Sequence, residues 1–184
     1  MIRLLDIVIS IFAITFLCPF FVCAFILSLI DTKSPIFLQS RIGLHGEVFT
    51  LYKFRTMSIS TPGNMPTHEI SSHESVSKIG SFLRTYKIDE LLQFFNVIKG
   101  DMSIVGYRPC LPTQAHLIKE RKKFELDKIL PGITGPAQLL GVDMKDPKLL
   151  ALIDSSLKDL DISSYFKIIV QTIFTKSSYE DRTR

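Results

Sequence analysis

Two adjacent carboxylates, Asp89 and Glu90, stand in the middle of a stretch that also carries Arg84, Lys87 and Arg108. Acids flanked by guanidinium groups suit an anionic substrate. Arginine grips phosphate in a planar fork, and a carboxylate can attack phosphorus or help to hold Mg²⁺. Neighbouring residues on a helix diverge by about 100°. The two acids are therefore free to take different tasks, one as nucleophile, the other toward a metal or a basic group. A purely local explanation competes: acids in a first helical turn complement the dipole and cap free N–H groups. The surrounding cations favour the chemical explanation.

The elements that must position these groups follow from the pattern. The apolar run Leu91 to Ile98 is closed by Gly100. A helix is expected from Asp89 to Lys99, its positive end at the acids. Val76 to Arg84 reads as a short helix feeding it. Ser103 to Val105 reads as a brief strand, and Gly106-Tyr107-Arg108-Pro109 as a turn that can aim Arg108 inward. Upstream, Ile36 to Arg41 and Glu47 to Tyr52 are strand-like and joined by Gly43-Leu44-His45-Gly46, which predicts a β-hairpin. Lys53 and Arg55 then follow beside apolar anchors.

Met1 to Ile30 is almost wholly apolar after Asp6. As one helix, Ile7 to Ile30 would be about 36 Å long, enough for a bilayer core of about 30 Å. Pro19 breaks the run and predicts a kink. Asp6 is costly in lipid and is expected at the interface with Arg3. The cations after the segment, Lys33, Arg41, Lys53 and Arg55, put the downstream side in the cytoplasm by the positive-inside rule.

A chain of 184 residues with a net charge of +4 supports one core. Its mild basicity suits a membrane surface or phosphate-bearing substrates. No nucleic-acid module is legible, so no nucleic-acid partner is expected. The three cysteines are not a disulfide framework, and Cys110 reads as a small apolar residue.

Ser58 to Ser77 is polar and broken by Pro62, Gly63 and Pro66, and reads as a loop able to cover a site. His68-Glu69 with His73 misses the spacing of a zinc helix by one residue. Thr113 to Asp127 reads as a helix capped by Thr113, with Lys119 to Lys123 on a solvated or membrane-facing side. Asp146-Pro147 opens another helix, and Ser163 caps a last one. There Ser164, Lys167, Gln171 and Thr175 form one narrow polar stripe, which suits a helix in a core or half-sunk in a bilayer interface, the interface slightly favoured. Lys176 to Arg184 reads as a frayed tail.

Several of these segments are similar to a known family. Phe54-Arg55-Thr56-Met57, Leu83-Arg84, Ile88 to Gln93, Asn96 to Ser103 and Val105 to Pro109 resemble the bacterial sugar transferases. These are the monotopic phosphoglycosyl transferases that begin glycan assembly on a polyprenyl phosphate. The resemblance runs from the apolar N-terminus to about Phe174. It implies an α+β, mostly helical fold. Residues 1–32 would form a re-entrant helix broken at Pro19, entering and leaving one leaflet. Residues 33–184 would form a catalytic domain with a small β-hairpin and interfacial amphipathic helices, facing the cytoplasm from the bacterial inner membrane.

The resemblance also implies a reaction. Sugar 1-phosphate would pass from a UDP-sugar to undecaprenyl phosphate, with UMP released. Asp89 and Glu90 are the expected catalytic pair and Mg²⁺ ligands, and Lys53, Arg55, Arg84 and Arg108 the expected phosphate binders. Membrane lipid is an expected partner, and a homo-oligomer is compatible. Ile129 to Gln138 resembles the family's Pro-Gly-Ile-Thr-Gly loop, which could approach a nucleotide or serve as a structural corner. Three positions depart from the family pattern: Cys18 stands for serine, Tyr107 for proline and Pro136 for tryptophan. They keep one alternative open, an inactive basic scaffold anchored at the membrane.

Overall fold

The computed structural model describes residues 1–59, 76–142 and 144–175. Most of the Ser58 to Ser77 loop, with its histidines, and the Lys176 to Arg184 tail lie outside them. The architecture is α+β and mostly helical. The apolar N-terminus forms α1 (Ile2–Phe16) and α2 (Cys18–Thr32), with Pro19 at the start of α2 and a bend of 67° between them. Among the described residues no single helix is long and apolar enough to cross a membrane; the bent pair reaches that length and composition only together.

The hairpin forms as its alternation requires. β1 (Ile36–Ile42) pairs antiparallel with β2 (Val48–Phe54), with Phe37 opposite Lys53 and Arg41 opposite Phe49. Opposite residues share a face, so Arg41 and Lys53 project from the same side. α3 (Lys78–Thr85) is capped by Ser77, whose Oγ accepts from the Gly80 N–H. The Ser77 hydroxyl in turn donates to Asp31 near the end of α2.

The helix expected from Asp89 starts later. Lys87 takes a left-handed conformation, φ 56°, and reverses the chain. Ile88–Glu90 then winds as a 3₁₀ turn, and α4 spans Gln93–Lys99. Ile88 and Leu92 pack into the cluster of Ala24, Phe54 and Leu83, whereas Val97 packs into the main core. The tight winding carries the chain from one cluster to the other. Gly100 closes α4 at φ 102°, as its position predicted.

β3 (Ser103–Val105) pairs in parallel with β4 (Gly132–Thr134). Between them lies α5 (Ala115–Lys123); after them come α6 (Pro136–Leu139), α7 (Pro147–Asp154) and α8 (Ile162–Phe174). Two cap assignments change. α5 begins at Ala115 without a Thr113 side-chain cap, and Asp161 rather than Ser163 caps α8, accepting from the Ser164 N–H. Asp146 caps α7 as expected, accepting from Leu149.

The main core joins Leu51, Val97, Met102, Ile104, Tyr107 and Tyr165, and Ile2, Leu5 and Ile9 of α1 pack against it. α1 thus belongs to the core on one side. Asp6 belongs there too, which corrects its expected place at a lipid interface. It is 1% exposed and accepts from the Ile104 N–H at 3.0 Å and the Tyr165 O–H at 2.8 Å. Arg3 donates to the carbonyls of Val97 and Met102 at the C-terminal end of α4. The bent pair also exposes Phe12, Phe16, Phe20 and Phe25, and α8 exposes Ile173 and Phe174.

Candidate active site

Asp89 and Glu90 sit on the 3₁₀ turn, which packs against the end of β2. Two clamps fix the neighbouring backbone. The buried Asn96 side chain accepts from the Tyr52 N–H at 3.0 Å and donates to the Thr50 carbonyl at 2.7 Å. It thereby continues the hydrogen bonding of the β2 edge and locks α4 to the hairpin. On the other side α3 comes so close to the strand exit that a Cβ on Gly80 would lie 2.2 Å from the Thr56 carbonyl oxygen. That approach lets Arg84 Nε donate to Thr56 Oγ1 at 2.8 Å.

Arg108 is held by backbone. Its turn crosses β4 with almost no gap: a Cβ on Gly132 would lie 2.0 Å from the Gly106 nitrogen. The glycines of the Pro-Gly-Ile-Thr-Gly loop are used against Gly106, so of its two expected roles the structure displays the corner. The turn is also tied to the hairpin. Ile42 N–H donates to the Cys110 carbonyl, Arg41 Nη1 to the Pro109 carbonyl at 2.9 Å, and the Tyr107 O–H to the Gly43 carbonyl at 3.3 Å. The side chain of Arg108 then reaches Glu90, Nη2 to Oε1 at 2.9 Å.

Charge divides the two acids. Asp89 is 8% exposed. Burial and the charge of Glu90 push it up to about 7, against the pull of Lys53, Arg84 and Arg108. Burial works to raise Glu90 as well, but the charge and hydrogen bond of Arg108 hold it below its ordinary value. Burial and neighbouring arginines, Arg41 first, bring Lys53 down to about 8, with Asp89 opposing. Burial and Arg108 bring Arg41 down to about 10. One acid is thus ionised and gripped, while its neighbour is poised between charge states near neutral pH.

Of the expected phosphate binders, Lys53, Arg84 and Arg108 share one electrostatic cluster with the acids. Arg55 is occupied elsewhere: Nε donates to the Ser34 carbonyl at 3.0 Å, and the guanidinium lies over Phe37, 5.0 Å from its centre. These contacts brace the start of the hairpin and do not reach the acids. Arg41 joins the cluster unannounced. Its place opposite Phe49, two positions of alternation from Lys53, was the available signal. Asn96 was equally readable as one of two polar residues, with Gln93, inside an apolar run.

Mg²⁺ can be tested against this donor set. Among the described residues no group of three or more histidine, cysteine or acidic side chains could hold a metal. Mg²⁺ commonly takes only one or two protein carboxylates and completes its shell with water and substrate phosphate. Asp89 and Glu90 fit that partial role and no larger one.

The chain is 41% identical over 144 residues to an uncharacterized sugar transferase, EpsL, of Bacillus subtilis, covering 76% of this chain and 68% of that protein. It is 36% identical over 141 residues to the UDP-glucose:undecaprenyl-phosphate glucose-1-phosphate transferase of Escherichia coli, covering 74% of this chain and 30% of the relative. An N-acetylgalactosaminephosphotransferase of Aeromonas hydrophila, named as acting with UDP-N-acetylgalactosamine and undecaprenyl phosphate, is 33% identical over 141 residues. That alignment covers 75% of this chain and 33% of the relative. This chain therefore spans about a third of the length of the latter two proteins. The bacterial sugar transferase model matches residues 1–178, and the chain belongs to that family.

Proposed function

We propose that this protein transfers sugar 1-phosphate from a UDP-sugar to undecaprenyl phosphate through a covalent intermediate on Asp89. The observation that carries the reading is the buried Asp89 beside a gripped Glu90, inside a cluster where, among the described residues, cations outnumber acids. Among the described residues Arg41, Lys53, Arg84 and Arg108 surround the two acids, and burial together with these neighbouring cations lowers the affinity of Lys53 for its proton. A diphosphate would bring negative charge suited to such a cluster.

In the first step an Asp89 carboxylate oxygen bonds to the sugar-bearing phosphorus. The bond from that phosphorus to the bridging oxygen breaks, and UMP leaves with the electron pair. In the second step an oxygen of undecaprenyl phosphate attacks the same phosphorus and Asp89 departs as carboxylate. Lys53, Arg84 and Arg108 stabilise the charge that gathers on phosphate oxygens. Glu90 keeps Arg108 extended toward the reacting group. Mg²⁺, held by Asp89 and Glu90 together with substrate phosphate, would supply charge neutralisation.

The location follows from the substrates. One is soluble; the other keeps its phosphate at headgroup level. The bent pair α1–α2, with its exposed phenylalanines, and the apolar end of α8 support a re-entrant seat in the inner membrane. Such a seat brings the lipid phosphate to Asp89 from the cytoplasmic face. The test is UMP release by detergent-solubilised protein with Mg²⁺ and a panel of UDP-sugars. Release that requires undecaprenyl phosphate for multiple turnover is expected. Absence of UMP with every sugar would overturn the reading in favour of a scaffold.

The charge states predict a narrow pH optimum. Asp89 must be ionised to attack, so kcat/KM rises with pH through about 7. Lys53 must be protonated to receive phosphate, so the rate falls as pH passes about 8. A flat profile between pH 6 and about pH 9 in initial-rate measurements would contradict these assignments.

A further inference from the structure

Behind the Arg108 turn lies a buried ion pair that the reaction does not use. Arg121 was expected on a solvated or membrane-facing side of α5, in the run Lys119 to Lys123. It is instead 4% exposed and points inward. Its Nη2 donates to Asp154 Oδ2 at 3.4 Å, and Asp154, at the end of α7, is 1% exposed. The contact is long. Arg121 Nε and Nη1 meet no hydrogen-bond partner among the described residues. A buried pair so incompletely satisfied is a poor stabiliser, because its desolvation cost is offset only when geometry is good.

The pair has the Cys110 thiol beside Arg121 and the Ala137 backbone beside Asp154, and it also touches Tyr107. The Arg121 guanidinium lies 4.4 Å from the centre of the Tyr107 ring. The ring is 2% exposed, its O–H donates to the Gly43 carbonyl, and its own carbonyl accepts from the Gly132 N–H at 2.8 Å. Tyr107 is therefore held on its ring face, at its hydroxyl and along its backbone. The next residue is Arg108, bonded to Glu90. A cation stacked on a desolvated ring fixes the plane of that ring, and here the ring plane fixes the start of the turn.

We propose that Arg121 and Asp154 are positioning residues that aim Arg108 at the phosphate site by locking the Tyr107 ring. Asp154 orients the guanidinium and Arg121 covers the ring. Neither touches substrate. The sequence supplies here, through a packed side chain, the stiffness that a proline at position 107 would supply through its own ring. The inference rests on the functional reading given above for Arg108.

The test replaces the pair by apolar residues of similar size, Arg121→Met with Asp154→Leu, which leaves no lone buried charge. Melting near that of the wild type is expected, with kcat/KM for UMP release lower by about 10-fold or more, since small displacements of a phosphate-gripping group are costly. In an Arg108→Ala background the same double change is expected to cost nothing further. Tyr107→Leu should reproduce the loss, and Tyr107→Phe, which keeps the ring, should retain most of the rate. Amide exchange at Tyr107 and Arg108, measured without substrate, should accelerate in the double variant while that of Ile104 holds. Unchanged kcat/KM with unchanged exchange would overturn the proposal, as would an equal further loss in the Arg108→Ala background. If the wild type releases no UMP, the functional reading fails by itself. The exchange rates then decide alone whether the ring lock exists.

Discussion

Asparagine at position 89 is expected to lower UMP release by at least about 1,000-fold, the scale on which removal of a covalent nucleophile acts. The amide keeps the size and shape of the side chain but cannot form a stable bond to phosphorus. The expected change in stability has the opposite sign, which separates chemistry from collapse. Asp89 is pushed up to about 7 in the folded protein from an ordinary value of 3.8. The folded state therefore holds that proton more tightly than the unfolded chain. The resulting stabilisation is fully present below about pH 4 and is lost as pH rises through about 7. At pH 8 the wild type carries a buried charge there and the variant does not. Asp89→Asn should thus melt higher than the wild type at about pH 8, with the gap narrowing as pH falls and closing only below about pH 4. A variant that lost activity together with stability at pH 8 would point to a structural role.

The second large effect is expected at the opposite end of the chain. Asp6→Ala leaves the Ile104 N–H and the Tyr165 O–H without their acceptor. Hydrogen bonds to a charged group contribute about 1.5–3 kcal/mol each, and unmet buried donors add their own desolvation cost. A loss of about 3–5 kcal/mol is expected, read as a lower denaturant midpoint in detergent micelles. The reason reaches beyond one residue. Ile2, Leu5 and Ile9 pack into the core that contains Ile104 and Tyr165, and Arg3 caps α4. α1 is both the start of the apolar segment and a wall of the core behind the site. A midpoint unchanged by Asp6→Ala would mean that the helix contributes only as an anchor.

How far the sequence could be read depends on whether the cause was local. The hairpin was legible because strand-like residues flank Gly43 to Gly46, and the kink because Pro19 removes a helical donor. Gly100 marked the end of α4 for the same kind of reason. The neighbourhood of Asp89 and Glu90 was legible through Arg84 and Arg108, which stand near them in the chain. What stayed hidden was decided by packing between distant segments. The 3₁₀ turn exists because Ile88 and Leu92 pack against α2 and α3 while Val97 belongs to another cluster. Arg121 looked like one more charge in a solvated run, and only the placement of Tyr107 and Asp154 draws it inward. Asp6 looked misplaced in an apolar stretch until Ile104 and Tyr165, 98 and 159 residues away, supplied its partners. Arg41 reads as an ordinary strand cation until the pairing register sets it on the face of Lys53.

The functional reading depends on one bond, between a carboxylate oxygen of residue 89 and phosphorus. The mass of the intact protein after brief exposure to its UDP-sugar and Mg²⁺, with no lipid acceptor added, tests that bond most directly. A gain equal to one phosphosugar is predicted in the wild type, vanishing when undecaprenyl phosphate is supplied and never forming in Asp89→Asn. Sustained UMP release from a protein whose mass never changes, or the same adduct on the Asp89→Asn variant, would contradict it.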